Sequence, residues 1–167
     1  IPQSVQTIES YAFYDCSLLE SVDIPSSVTS IGDYSFCLCS LLSKIVIPQS
    51  ITSIGSHSFS RCTSLTSIEF PSNIKKIGPS CFSWCTSLKS VTIPSSIEMI
   101  EECTFFGCSS LLNAKIPSSV KSIGFHCFYK CSSLNEIEIP DSVESVGRGS
   151  FNGCLSLSKV KISSSLK

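Results

Sequence analysis

Residues 47–69 read IPQSITSIGSHSFSRCTSLTSIE, and the same pattern is written again every 23 residues on either side. Pro2, Pro25, Pro48, Pro71, Pro94, Pro117 and Pro140 are evenly spaced by that period. Each is followed at fixed offsets by two aliphatic residues, such as Ile51 and Ile54, and then by a phenylalanine: Phe13, Phe36, Phe59, Phe82, Phe105, Phe128 and Phe151. Three residues further on stands a cysteine, from Cys16 through Cys62 to Cys154, and three beyond it a leucine, from Leu19 to Leu157. A unit of this length cannot bury its own apolar side, so the repeat predicts a solenoid whose successive coils share one core. The recurring columns are that core, and function is to be sought in the columns that change.

Composition narrows the field. The formal net charge is −1 and only 15% of residues are charged, which gives no basic footprint for a phosphate backbone, so nucleic acid is not an expected partner. There is no run of 18 apolar residues, so membrane insertion by this segment is not expected either. The reading assigns 1–167 to a single array, with seven 23-residue repeats over 1–161 and a partial eighth over 162–167. It is expected to be a segment of a longer array, with neighbouring repeats at both ends, because neither end carries the altered polar face of a capping repeat.

Within a unit, Leu88-Lys-Ser-Val91-Thr-Ile93-Pro94 alternates apolar and polar residues as a half-buried strand does, and proline fixes where pairing stops. All coils travel the same way round, so these strands must run parallel. A second, shorter strand is expected around Thr52–Ile54. Glycine at 32, 55, 78, 124 and 147 is then expected to form a corner of positive φ, although Glu9 and Glu101 occupy the same column. Between corner and cysteine there is room for about one helical turn, which would point the Phe inward.

These residues resemble the 23-residue leucine-rich repeat of the BspA-like class, found in surface proteins of anaerobic bacteria and in large families of parasitic protists. The resemblance covers the whole chain. It implies a leucine-rich repeat solenoid, mostly β with minor helix: a curved parallel β-sheet on one face, and short strands and one-turn helices on the others. The chain departs from the more familiar leucine-rich signature after the strand, where Asn is usual and it has Ser27, Ser50, Asn73, Ser96, Ser119, Ser142 and Ser165.

Eleven cysteines invite a disulfide or metal reading, but seven of them are the periodic column and are read as small buried apolar groups. Parallel stacking holds their Cβ atoms at about the coil spacing, wider than the ~3.8 Å a disulfide needs. Cys81 and Cys127 stand in a column that takes small residues. Cys37 and Cys103 lie in columns that vary freely and are expected to be accessible thiols, with a disulfide at either left open. His57 and His126 share one column three repeats apart, which at about 5 Å per coil is too far for one metal. No metal, cofactor or catalytic constellation is expected, and the chain is read as a non-enzyme.

Two surfaces remain for binding. Outward positions of the strand face include Asp23, Glu69, Thr92, Lys115 and Glu138 in one row and Lys44 in a second, both of mixed charge. The variable short turn carries Tyr34, Trp84, Phe106 and Tyr129, aromatic residues that do not recur in every repeat and so are not demanded by the core. The expected function is a protein-interaction or adhesion module taking a protein or cell-surface ligand, placed at the cell surface or outside the cell. The alternative is a structural array that spaces a larger assembly, including one in the cytoplasm.

Overall fold

In a computed structural model, residues 1–162 are described; Ser165, Leu166 and nearly all of the partial eighth repeat lie outside the described residues. The chain winds into seven coils of 23 residues, numbered here from coil 1 (residues 1–23) to coil 7 (139–161), as a curved parallel β-solenoid. Eleven strands form, all short: β1 (Thr7–Ile8), β2 (Ser30–Ile31), β3 (Ser53–Ile54), β4 (Lys76–Ile77), β5 (Ser90–Thr92), β6 (Met99–Ile100), β7 (Asn113–Lys115), β8 (Ser122–Ile123), β9 (Glu136–Ile139), β10 (Ser145–Val146) and β11 (Lys159–Ile162). Every pair is parallel and offset by one repeat, as in Ser30↔Ser53 and Ile137↔Val160.

Phe36, Phe59, Phe82, Phe105 and Phe128 are fully buried and stack along the axis, with centroids 5.4–5.8 Å apart and ring planes within 12° of parallel. The aliphatic columns and the leucines close around them. Burial of this continuous apolar column is the principal stabilising term, since every coil contributes one large ring and several branched side chains.

The balance between the two strand lines differs from the sequence expectation. The two-residue strands before the corner are the regular ones, ordered β1-β2-β3-β4 and β6-β8-β10. The longer strands before proline form only later, as the pairs β5-β7 and β9-β11. Between coils 3 and 4 only an isolated bridge, Ser67↔Ser90, is made on that line. There Phe70 replaces the usual isoleucine and turns its ring edge-on to Phe82 at 5.6 Å.

No helix occurs among the described residues, so the expected one-turn helices are corrected to consecutive tight turns. The reason lies in where the amides point. Tyr34, Phe36 and Leu38 donate to the carbonyls of Ser56, Ser58 and Ser60 in the next coil at 2.8–2.9 Å. The alternating Cys37 and Cys39 donate back three residues to Tyr34 and Phe36, both at 3.2 Å. A helical turn would have kept all these donors inside one coil. Positive φ at Tyr34 (55°) and Leu38 (66°) produces the alternation.

The corner glycines are also corrected. None of Gly32, Gly55, Gly78, Gly124 and Gly147 has positive φ; the glycines that do are Gly107, Gly149 and Gly153. What the corner needs is closeness: a Cβ on Gly78 would lie 2.6 Å from the Ser56 nitrogen of the preceding coil.

Serine replaces asparagine after the strand with a ladder of its own. Ser27, Ser96 and Ser119 hydroxyls donate to the carbonyls of Val5, Ile74 and Ile97 in the preceding coil, at 2.7, 2.5 and 2.8 Å.

Candidate interaction surface

The turn segment, residues 9–16 of coil 1 and their equivalents, builds the most distinctive surface. Its two inward positions are filled by a small residue and the core phenylalanine. The outward rows are those of Ser10, Tyr11 and Asp15; the Tyr14 row is exposed at Tyr14, buried at Cys37, Ser60 and Ser83, and partly open again at Phe106 and Tyr129. Two of these rows take left-handed backbone in coil after coil: Tyr11, Tyr34, His57, Ser80, Cys103 and His126 in one, and Asp15, Leu38, Arg61, Trp84 and Lys130 in the other, with φ between 51° and 66°. Left-handed backbone disfavours β-branched residues and suits Gly, Asn, Asp and His. That accounts for glycine at 107, 149 and 153 in these rows. Those scattered glycines were the sequence signal for the conformation, and the reading passed over it in favour of the corner.

Aromatic rings gather on this face in two clusters. In coils 1–3, Tyr11 stacks on Tyr34 at 5.0 Å and 3°, and Tyr34 on His57 at 4.6 Å and 8°, with Tyr14 beside Tyr11 at 5.5 Å. In coils 4–6, Trp84 meets Phe106 at 5.4 Å, Phe106 stacks on Tyr129 at 4.8 Å, and His126 stands 5.2 Å from Tyr129 and 5.6 Å from Phe125. The structure thus brings Trp84, Phe106 and Tyr129 together and puts Tyr34 in the other cluster. The same turn surface carries Tyr11, His57 and His126 in the column of Tyr34, Tyr14 in that of Phe106 and Tyr129, and Phe125 in the Ser10 column. Trp84, Phe125, Tyr11 and Tyr14 are all exposed, while Phe106, Tyr129, Tyr34 and His57 are half-buried. Trp84 lies over Gly107 of the next coil, where a Cβ would come within 2.7 Å of the indole. Burial holds the His57 imidazole below its ordinary pKa, and Lys130 sits over the Tyr129 ring at 5.6 Å.

The strand face is different in kind. Asp23, Lys44, Glu69, Thr92, Lys115 and Glu138 are all exposed along it. The last four border open depressions, one of about 760 Å³ beside Glu69, Thr92 and Lys115, another of about 410 Å³ beside Lys115 and Glu138. Among the described residues the ion pairs are both here, Lys159 to Glu136 at 3.9 Å and Lys161 to Glu138 at 3.4 Å. Both are solvent-exposed and contribute little to stability.

The cysteines are free thiols. Six of the periodic seven donate Sγ–H to the carbonyl of the phenylalanine one coil back, Cys39 to Phe13 and so on to Cys154 with Phe128, at 3.1–3.2 Å. This bond is why the column is cysteine and not merely apolar. Burial pushes the thiols up, Cys39 to about 11 and Cys108 to about 12, so they stay protonated and unreactive. Cys37 corrects the expectation of an accessible thiol: it is buried beside Ser60 of the next coil, whereas Cys103 is half-exposed. Among the described residues no group of three or more potential ligands could hold a metal ion. Among them, too, no helix is long and apolar enough to cross a membrane.

A family model described as a BspA type leucine rich repeat region matches residues 1–111 and 98–167 in six copies. Among solved structures, the chain is similar to a leucine rich repeat protein of T. pallidum, with 33% identity and a TM-score of 0.86, over 94% of this chain and 76% of that one. It is similar also to a leucine rich cell surface protein from Faecalibacterium prausnitzii A2-165, with 30% identity and a TM-score of 0.90 over 96% of this chain. The chain spans 46% of that protein's length. The pneumococcal vaccine antigen PcpA shares the fold at 24% identity and a TM-score of 0.70, over 98% of this chain and 44% of that one. Comparison with curated proteins gives no match.

Proposed function

The chain belongs to the BspA-type leucine-rich repeat family, and from that premise we propose that it is a non-catalytic protein-interaction or adhesion module displayed at the cell surface, docking through its turn face. Leucine-rich repeat solenoids are in general protein-binding modules, and their extended surfaces suit non-covalent contact. The observation that carries the choice of face is the contacting group Trp84, Phe106 and Tyr129. These rings do not recur in every repeat, are not needed to fill the core, and remain partly exposed. Trp and Tyr in that condition are the residues that dominate binding energy where proteins meet. Surface display is supported by the likeness to the F. prausnitzii cell surface protein. The inert thiols and the absence of a metal-binding group among the described residues supply no catalytic chemistry.

The test is selection of a displayed random peptide library on the folded protein. Binders should lose at least ~10-fold in affinity on the Trp84→Ser/Phe106→Ser variant and keep it on Lys115→Ser/Glu138→Ser. The reverse pattern moves the site to the strand face, and failure to select any binder argues against an interaction role.

A further inference from the structure

The charges of the turn face are ordered along the axis. Coil 1 carries Glu9 and Asp15, coil 2 Asp33, coil 3 Arg61, coil 4 none, coil 5 Glu101 and Glu102, coil 6 Lys130 and coil 7 Arg148. In sign this reads minus, minus, plus, zero, minus, plus, plus, a series that changes sign on reflection about coil 4. None of these side chains is spent in an ion pair, since the ion pairs among the described residues lie on the strand face.

We propose that the turn face binds a second copy of this chain, antiparallel, about a two-fold axis passing through coil 4. This deepens the reading of that face as a docking surface and rests on it. A two-fold interface is self-complementary, so each patch must suit the patch at the mirrored position. Rotation about an axis between the two inward rows sets coil 1 against coil 7, coil 2 against 6 and coil 3 against 5. The Ser10 row then faces the Asp15 row, and the Tyr11 row faces the Tyr14 row. Asp15 meets Arg148, Asp33 meets Lys130, and Arg61 meets Glu102, each contact made twice.

The apolar residues fall into place by the same operation. Leu38 faces Phe125, Tyr34 faces Tyr129, and His57 faces Phe106. Trp84 faces Pro79 of the other copy at the centre, the position where interface hot spots concentrate. Tyr14, exposed in coil 1, faces Gly149, which has no side chain to obstruct it.

Stacked rings in the outer row of coils 1–3 repeat at 5.0 and 4.6 Å, close to the ~4.8 Å spacing of paired strands. The face is about 30 Å long over six coil steps, and because its pairings are between exposed charges a micromolar, salt-sensitive dimer is expected.

The experiment is sedimentation equilibrium over the micromolar range at low and high salt. The wild type should pass from 18.0 kDa to twice that mass, with weaker association at high salt. Arg61→Glu or Glu102→Arg alone should raise the dissociation constant at least ~10-fold, and the two together should restore it to within a few-fold of wild type. Trp84→Ser should abolish association. Circular dichroism and melting temperature confirm that each exposed-site variant is folded, and the restoring double variant separates charge pairing from damage to the fold. A wild type that stays monomeric, single reversals without effect, or a double variant no better than the singles would overturn the proposal. If peptide binders selected on the wild type still depend on Trp84 and Phe106 in that case, the turn face remains a docking surface for a different partner.

Discussion

The corner of coil 4, at Gly78, and the corner of coil 5, at Glu101, are the same position in the repeat with different residues, and they fold differently. At Gly78 the amide donates to the Ile54 carbonyl at 2.9 Å and Lys75 donates to Thr52 at 2.8 Å, so the coil is sealed to the one before it. Gly32, Gly55, Gly124 and Gly147 make the same amide bond to Ile8, Ile31, Ile100 and Ile123. Glu101 does not make it, and β4 and β6 do not pair with each other. The gap forms a depression of about 290 Å³ lined by Lys76, Ile77, Glu98 and Met99 among others. A Cβ cannot occupy the sealed corner, so one substitution opens a seam in an otherwise continuous sheet. The seam is one-sided: Phe82 and Trp84 still donate to Thr104 and Phe106 across it, at 2.9 and 2.6 Å.

The largest effects should come from removing a core ring on either side of the comparison. Phe59→Ala lies between sealed coils and should cost about 4–5 kcal/mol. Phe105→Ala sits beside the seam, where Phe82 and Phe105 are at the widest ring spacing of 5.8 Å, and neighbours there can relax into the space. Its cost should be about 3 kcal/mol, at the lower end for such truncations. Urea unfolding reads both; equal costs would mean that the seam gives the core no freedom. Next in size, Gly55→Ala should make a second seam, because its Cβ would fall 2.6 Å from the Asp33 nitrogen. Overpacking of this kind costs about 2 kcal/mol, and hydrogen exchange at Ser53 and Ile54 should accelerate.

Period and core were legible in the sequence because both are set by side-chain identity: aliphatic, phenylalanine, cysteine and leucine columns can hardly be placed anywhere but inside. Backbone geometry was less legible. Glycine at 55 or 78 signals either positive φ or close approach, and the sequence does not separate the two. Only the distance from Gly78 to the preceding coil does. The thiol bonds to the phenylalanine carbonyls were hidden for a similar reason, since an apolar cysteine and a donating one look alike until the acceptor is located. Tyr34 and Trp84 were visible as irregular aromatics two coils apart, but which rings touch within each cluster depends on which rows face outward together, and that follows from the left-handed turns.

A smaller effect should repair the seam. Glu101→Gly removes the obstructing Cβ and lets the amide reach Ile77, while adding chain entropy to the unfolded state worth about 0.5–1 kcal/mol. Net stability should therefore change by less than about 1 kcal/mol. The local reading is sharper: exchange at Met99 and Ile100 should slow to the level of Ser122 and Ile123. Unchanged exchange there would show that Glu101 is not what holds the corner open.

The smallest expected effect is no difference at all, and it measures how deep the seam runs. Cys85 and Cys108 straddle it, yet both are buried in the core, with the Cys108 thiol held up at about 12. If the seam stops at the corner, Cys108 should resist a thiol reagent at neutral pH as fully as Cys62, while exposed Cys16 reacts at once. Raising the pH applies the same question to the whole column. A thiol whose folded pKa is raised keeps its proton in the native state after the unfolded chain has lost its own. Its stabilising contribution is therefore complete below about 9, the ordinary value, and is lost as pH climbs through 11 for Cys39 and 12 for Cys108. With several such groups stacked, alkaline unfolding should be cooperative and begin near pH ~9–10. Early labelling of Cys108 ahead of Cys62 in that titration would mean that coils 4 and 5 part first, and that the opening at Glu101 extends through the core to the opposite wall.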